Sequence, residues 1–84
     1  MFYTYVLRSK VDGKQYVGCT KNLPSRLELH QKGRVPATAK RRPFTLVYFE
    51  GCNSLKDARK REAYLKTAYG KMYLGSRLKS DSMG

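Results

Sequence analysis

The Asp12-Gly13 step, set between two β-rich runs, constrains the fold of this chain more than any other feature. "FYTYVLR" (residues 2–8) precedes it and "QYVGC" (15–19) follows. Aromatic and β-branched residues suit a pleated, half-buried surface, and Asp-Gly supplies the positive φ that a tight reversal needs. Two such runs so close together form an antiparallel hairpin. Alternation then puts Tyr3, Tyr5 and Leu7 on one face. A two-residue turn at Asp12-Gly13 would add Tyr16 and Gly18 to that face, with Tyr16 two rungs from Tyr5. A bulge or wider loop would bring the two phenols together. They are core filler, a stacking surface, or a pair of reactive hydroxyls.

Further along, Asn22 is the expected N-cap of a helix from Leu23 to Lys32, with Pro24 in its first turn and Gly33 as its stop. "KGRVPATAKRRP" reads as a basic loop, and "FTLVYFEGC" (Phe44 to Cys52) is the strongest strand in the chain. Ser54 with Asp57 three residues on resembles a capping box. It opens a helix expected to last to about Tyr69, where Gly70 would end it. "KMYLGSRLK" predicts a short final helix, weakened by Gly75, and residues 80–84 are expected to be a disordered tail. The predicted order is β-β-α-β-α-α: an α+β domain over residues 1–79, with a small three-stranded antiparallel sheet flanked by helices.

Charge narrows the partners. Eighteen Lys and Arg oppose six Asp and Glu among 84 residues, a net charge of +12. In so small a chain that favours a polyanion, because each neutralised phosphate releases counterions. A membrane surface would need an amphipathic helix with a clean apolar face, which these helices do not offer. No apolar stretch is long enough to span a bilayer, and the N-terminus lacks a signal pattern, so the expected location is the cytoplasm. Cys19 and Cys52 lack CxxC spacing and accompany a single histidine, which argues against zinc. Both read as reduced, half-buried strand residues.

Three polar residues fall on apolar arcs. Helix one puts Leu23, Leu27 and Leu29 in one arc, and Arg26 and His30 lie inside it. Arg26 either snorkels from the arc's edge or is held for function, and a lone His30 is ordinarily a satisfied core or edge histidine. On the long helix, Leu55, Ala58, Leu65 and Tyr69 form a stripe with Glu62 in its middle. An ionised carboxylate there needs a cation or several donors. Either an ion pair, for example with Arg26, or a hard divalent ion would serve. Lys40, Arg41 and Arg42 in the central loop, and Arg59 and Lys66 flanking Glu62, are candidate phosphate contacts.

Set in register, "YTY" at Tyr3 to Tyr5, "YVG" at Tyr16 to Gly18, Arg26, His30 and Glu62 resemble the GIY-YIG nuclease superfamily. That superfamily includes the N-terminal domain of an excision-repair endonuclease, and the likeness is greatest to its small stand-alone bacterial members. Tyr16 follows Tyr5 by eleven residues, Arg26 follows Tyr16 by ten, and His30 comes four later. The resemblance implies endonucleolytic hydrolysis of phosphodiester bonds, in structured or damaged DNA or in the course of DNA repair, with one Mg²⁺ or Mn²⁺ ion. Tyr16 would be the general base and Tyr5 its helper. Arg26 would clamp the phosphate, Glu62 would anchor the metal, and His30 would bind phosphate or tune Tyr16. An unassisted phenol is only ~0.1% ionised at neutral pH, so a base of this kind needs a cation nearby. Many members carry an asparagine after the metal-binding glutamate. Here Asn22 and Asn53 both precede Glu62. DNA is the expected partner, RNA stays open, and a protein partner would supply specificity to a monomer or weak dimer. The alternative is a non-catalytic nucleic-acid-binding module with the same fold and basic surface.

Overall fold

A computed structural model describes residues 1–78; the expected tail at 80–84 lies outside them. The hairpin forms from β1 (Phe2–Ser9) and β2 (Gln15–Thr20), and β3 (Phe44–Cys52) pairs antiparallel with the other side of β1. The sheet order is therefore β2-β1-β3. Of the two turns open at Asp12-Gly13, the wider one forms. Ser9 N–H donates to the Lys14 carbonyl and Gly13 N–H to the Ser9 carbonyl, both at 2.9 Å, so residues 10–13 form a wider loop. Gly13 takes a φ of +71° within it, and Asp12 Oδ1 accepts from Lys14 N–H at 2.9 Å. The wider loop shifts the pairing, so Leu7 faces Tyr16 and Tyr5 faces Gly18. Tyr16 thereby comes one same-face step from Tyr5 instead of two. On the β3 side the pairing slips between Val6 and Leu7, which face Tyr48 and Leu46 and leave Val47 as a bulge.

Each face of the sheet carries its own cluster. Helix α1 (Leu23–Gln31) covers Tyr5, Leu7 and Phe44, with Leu23 and Leu27 packed among them. Helices α2 (Leu55–Leu65) and α3 (Ala68–Arg77) cover Val6 and Val17 with Leu65, Leu74 and Leu78. Burying side chains of this size contributes about 1.5–3 kcal/mol each. Strand β1, at the centre, is sealed on both faces. Its buried Thr4 hydroxyl donates to the Ala58 carbonyl at 2.9 Å.

Local chemistry fixes the helix ends. Asn22 Oδ1 accepts from Ser25 N–H at 3.1 Å. At the other end of α1, Gly33 N–H reaches the His30 carbonyl and Arg34 N–H the Leu29 carbonyl. That pair of bonds is a Schellman motif, with Gly33 at φ +74°. Leu29 is exposed rather than part of the buried arc. The arc runs instead through Leu23, Leu27 and His30, which share one side of the helix. Ser54 caps α2 by accepting from Asp57 N–H.

The long helix does not reach Tyr69. It ends at Leu65, and Thr67 starts α3 by accepting from Gly70 N–H at 3.1 Å. Gly70 is thus inside a helix and not a stop. A Cβ there would lie 2.5 Å from Leu65 Cα, so the glycine lets α3 turn back tightly against the end of α2. Tyr69, expected on the apolar stripe, is exposed. Glu50, which pairs with Arg61 and accepts from the Tyr48 hydroxyl, ties this helical layer to β3. Both cysteines are free and half-buried. No helix among the described residues is long and apolar enough to cross a membrane.

Candidate active site

The site is built around an edge strand. Gly18 leaves an open place opposite Tyr5, and the phenol lies across it; a Cβ at Gly18 would come within 2.5 Å of Tyr5 Cζ. A cleft of about 480 Å³ wraps β2 at this point. Tyr5, Tyr16 and Arg26 line it from the α1 face, and Cys19, Arg59 and Glu62 from the α2 face. Because β2 is the edge of the sheet among the described residues, groups from opposite faces of the sheet reach one space.

Behind Tyr5 stands a buried polar chain. The Tyr5 hydroxyl is 2.7 Å from His30 Nε2, and His30 Nδ1 is 2.8 Å from Thr38 Oγ1. All three residues are buried, His30 completely. Thr38 can donate to the Val35 carbonyl at 3.4 Å. With that bond made, Thr38 accepts from Nδ1–H, and Nε2 accepts from the Tyr5 hydroxyl. The Tyr5 proton then points inward and its lone pairs face the cleft. Burial, and then the Arg26 charge, lower the His30 pKa and keep the ring neutral. Burial also raises the Tyr5 pKa, opposed by hydrogen bonding from Arg26. Arg26 stays cationic, held up chiefly by its hydrogen bond to Tyr5. Its Nε is buried and has no hydrogen-bond partner among the described residues. A cation with an unmet donor beside two phenols is suited to an incoming anion.

Glu62 pairs with Lys66, one turn on, at 3.1 Å, and not with Arg26. The lysine side chain is 56% exposed, so it can give way to a competing cation. Among the described residues no three His, Cys, Asp or Glu side chains gather in one place. The donor set therefore fits a hard cation held by one carboxylate, waters and a substrate oxygen, and not an all-protein cage. Lys66 also lines a second groove with Tyr16 and Lys71. The structure does not bring Lys40, Arg41 and Arg42 to the cleft. Arg41 pairs with Asp12 at the hairpin loop, and Arg42 donates to the Ala39 and Gln31 carbonyls.

Sequence reasoning missed Thr38, Lys21 and Lys71. Thr38 lies in a loop whose fold is set by tertiary contacts, and no local pattern marks it. Lys21 follows the YVG strand directly, and that position was the signal available.

The fold and cleft define a class: a small α+β domain that gathers two tyrosines, an arginine and a carboxylate around the edge strand of an antiparallel sheet. The family model described as the GIY-YIG catalytic domain matches residues 1–75. The chain belongs to the GIY-YIG family, a nuclease-type family. It is similar to UPF0213 protein CPE1444 of Clostridium perfringens, 40% identical over 67 residues, covering 79% of this chain and 71% of that one. A UPF0213 protein of Pediococcus pentosaceus is 44% identical over 66 residues, covering 77% and 68%. The solution NMR structure of UPF0213 protein BH0048 from Bacillus halodurans superposes with a TM-score of 0.56 at 32% identity, covering 90% of this chain and 84% of that one.

Proposed function

We propose that the protein is a divalent-metal-dependent endonuclease that hydrolyses phosphodiester bonds in DNA. The observation that carries this reading is the single cleft shared by Tyr5, Tyr16, Arg26 and Glu62. Arg26 binds the scissile phosphate through its guanidinium and meets the charge that grows on it in the transition state. Tyr16, in its phenolate form, takes the proton of the attacking water and becomes the neutral phenol. Tyr5, its own proton committed to His30, accepts from Arg26 or from that water and orients the pair. Glu62 would hold Mg²⁺ or Mn²⁺ once Lys66 gives way, and the bound ion would supply positive charge to the phosphate and leaving oxygen. His30 has no exposed surface, so it acts as a positioning residue through Tyr5.

The basic balance of the chain and the nuclease-type family both support a nucleic acid as partner. The second reading is a binding module without turnover. The existing Glu62–Lys66 pair favours it, because the carboxylate is already neutralised without a metal. Purified protein incubated with plasmid, single-stranded, branched and RNA substrates, with Mg²⁺, Mn²⁺ or EDTA, separates the two. The nuclease reading expects metal-dependent cleavage that falls about 10²- to 10⁴-fold in Tyr16→Phe and is lost in Glu62→Gln. Tight binding without cleavage under every metal condition would overturn it in favour of the module.

A further inference from the structure

Beside the cleft lies a second, aromatic surface. Tyr3 and Phe49 stand on the Tyr5 face of the sheet: Phe49 pairs with Tyr5, and Tyr3 is the next residue of β1 on that face. Their rings meet edge to face, 6.3 Å between centroids. Phe49 is nonetheless 53% exposed, although it belongs to the most apolar strand of the chain. The tilted contact, 61° between the ring planes, leaves about half of Phe49 in water. A hollow of about 380 Å³ borders the pair, and Lys21 and Asn22 form its polar side. Lys21 lines both this hollow and the main cleft. The two are therefore contiguous through a cation.

We propose that Tyr3 and Phe49 form a stacking site for one unpaired nucleobase of the strand whose phosphate lies in the cleft, with Lys21 on the intervening phosphate. The assignment rests on the nuclease reading for its register but not for its chemistry. Three observations favour a base as the occupant. The exposed group is an aromatic ring, on which every base can stack. A cation, not a further apolar residue, joins it to the cleft. The chain as a whole carries +12, which suits a polyanion and opposes close approach of a second copy. Tyr3 is also only about 6.6 Å along the strand from Tyr5, at the usual rise for two residues. A nucleotide adjoining the bound phosphate can span that distance. In an intact duplex both faces of each base are already stacked, so the site would select a nucleotide in a single strand, flap or bulge.

The test is binding in EDTA, where no cleavage intervenes. Short single strands carrying a 2-aminopurine are titrated with wild-type protein and with Phe49→Ala, Phe49→Leu and Phe49→Trp, each checked for folding by circular dichroism. The expected result is a change in 2-aminopurine emission on binding that Phe49→Trp keeps. Phe49→Ala and Phe49→Leu should lose it and weaken single-strand binding roughly 5- to 150-fold, the range for one lost base–aromatic stack. Duplex binding, which rests on phosphate contacts, stays unchanged. Single-strand affinity and emission that are the same in Phe49→Leu as in wild type would overturn the proposal. So would sedimentation showing that Phe49 holds a dimer together, since a second copy would then be the occupant. The outcomes also keep the two readings apart. Phe49-dependent binding by a protein that never cleaves leaves the stacking site standing and removes the nuclease, and cleavage indifferent to Phe49 does the reverse.

Discussion

Replacing Gly18 with alanine tests the geometry of the site without reference to any activity. An added Cβ would sit 2.5 Å from Tyr5 Cζ and 2.9 Å from Cε1, well inside carbon–carbon contact distance. Tyr5 cannot simply rotate away, because it is only 1% exposed and its hydroxyl is held by His30 at 2.7 Å. The methyl must therefore push the ring or bend β2, an overpacking cost of about 1–3 kcal/mol. For a domain of this size each kcal/mol lowers Tm by about 4–8 °C. On an open strand the same change would be expected to help slightly, since alanine loses less backbone entropy than glycine on folding. Urea unfolding of wild type, Gly18→Ala, Tyr5→Leu and the double variant forms a cycle. The smaller leucine removes the atoms that collide, so the cost of Gly18→Ala should shrink markedly in the Tyr5→Leu background. If Gly18→Ala is neutral or stabilising, or costs the same in both backgrounds, Tyr5 does not lie across Gly18 and the cleft loses its geometric basis.

Three further perturbations probe the supporting structure. The folded-state pKa of His30 is lowered, so the unfolded chain binds the extra proton first. The stability this neutral ring contributes is fully present above its unfolded value near 6.5 and is lost as pH falls below it. Urea midpoints measured from about pH 7.5 down to pH 5 should fall with a slope of up to about 1.4 kcal/mol per pH unit, and His30→Gln should remove that component. Thr38→Val leaves His30 Nδ1 unpaired and should cost about 1–3 kcal/mol, with Thr38→Ser restoring most of it; equal stability of the valine variant would refute the buried chain. Within α3 the two glycines should respond with opposite signs. Gly70→Ala meets the backbone of α2 and destabilises, whereas a Cβ at Gly75 finds nothing among the described residues within 4 Å and should stabilise by about 0.8–1 kcal/mol. Thermal melts of the two variants decide this, and a shared sign would refute the account of the α2–α3 turn.

What could be read from the sequence was local. Asn22, Gly33 and Ser54 announce helix ends through hydrogen bonds closed within a few residues, and the Phe44–Cys52 strand follows from its own composition. The α2–α3 break was harder because Gly70 carries two meanings. A glycine after an apolar stripe usually ends a helix, but here it allows a close approach, and Thr67 three residues earlier was the cap that told the two apart. The separation of Tyr5 and Tyr16 was beyond reach, since a loop one step wider changes the pairing while leaving every residue on the same face. Thr38 was beyond reach for a related reason. Its partner is chosen by how the 32–43 loop folds over α1, and no periodicity records that.

The polar residues on apolar arcs show where such reading stops. Arg26, His30 and Glu62 gave the same signal, a hydrophilic group where packing asks for a hydrophobic one. Their environments differ completely. His30 is buried with both nitrogens bonded, Arg26 keeps one donor buried and unmatched, and Glu62 faces the cleft with an exposed lysine as its partner. The arc tells only that each side chain points toward the sheet. What it meets there depends on how far it lies from the sheet's edge. His30 sits over central β1 and is sealed in, while Arg26 and Glu62 reach the open side of β2 from opposite faces. An edge strand whose glycine makes room for the neighbouring tyrosine is therefore what turns two packing anomalies into one site, and leaves the third as its support.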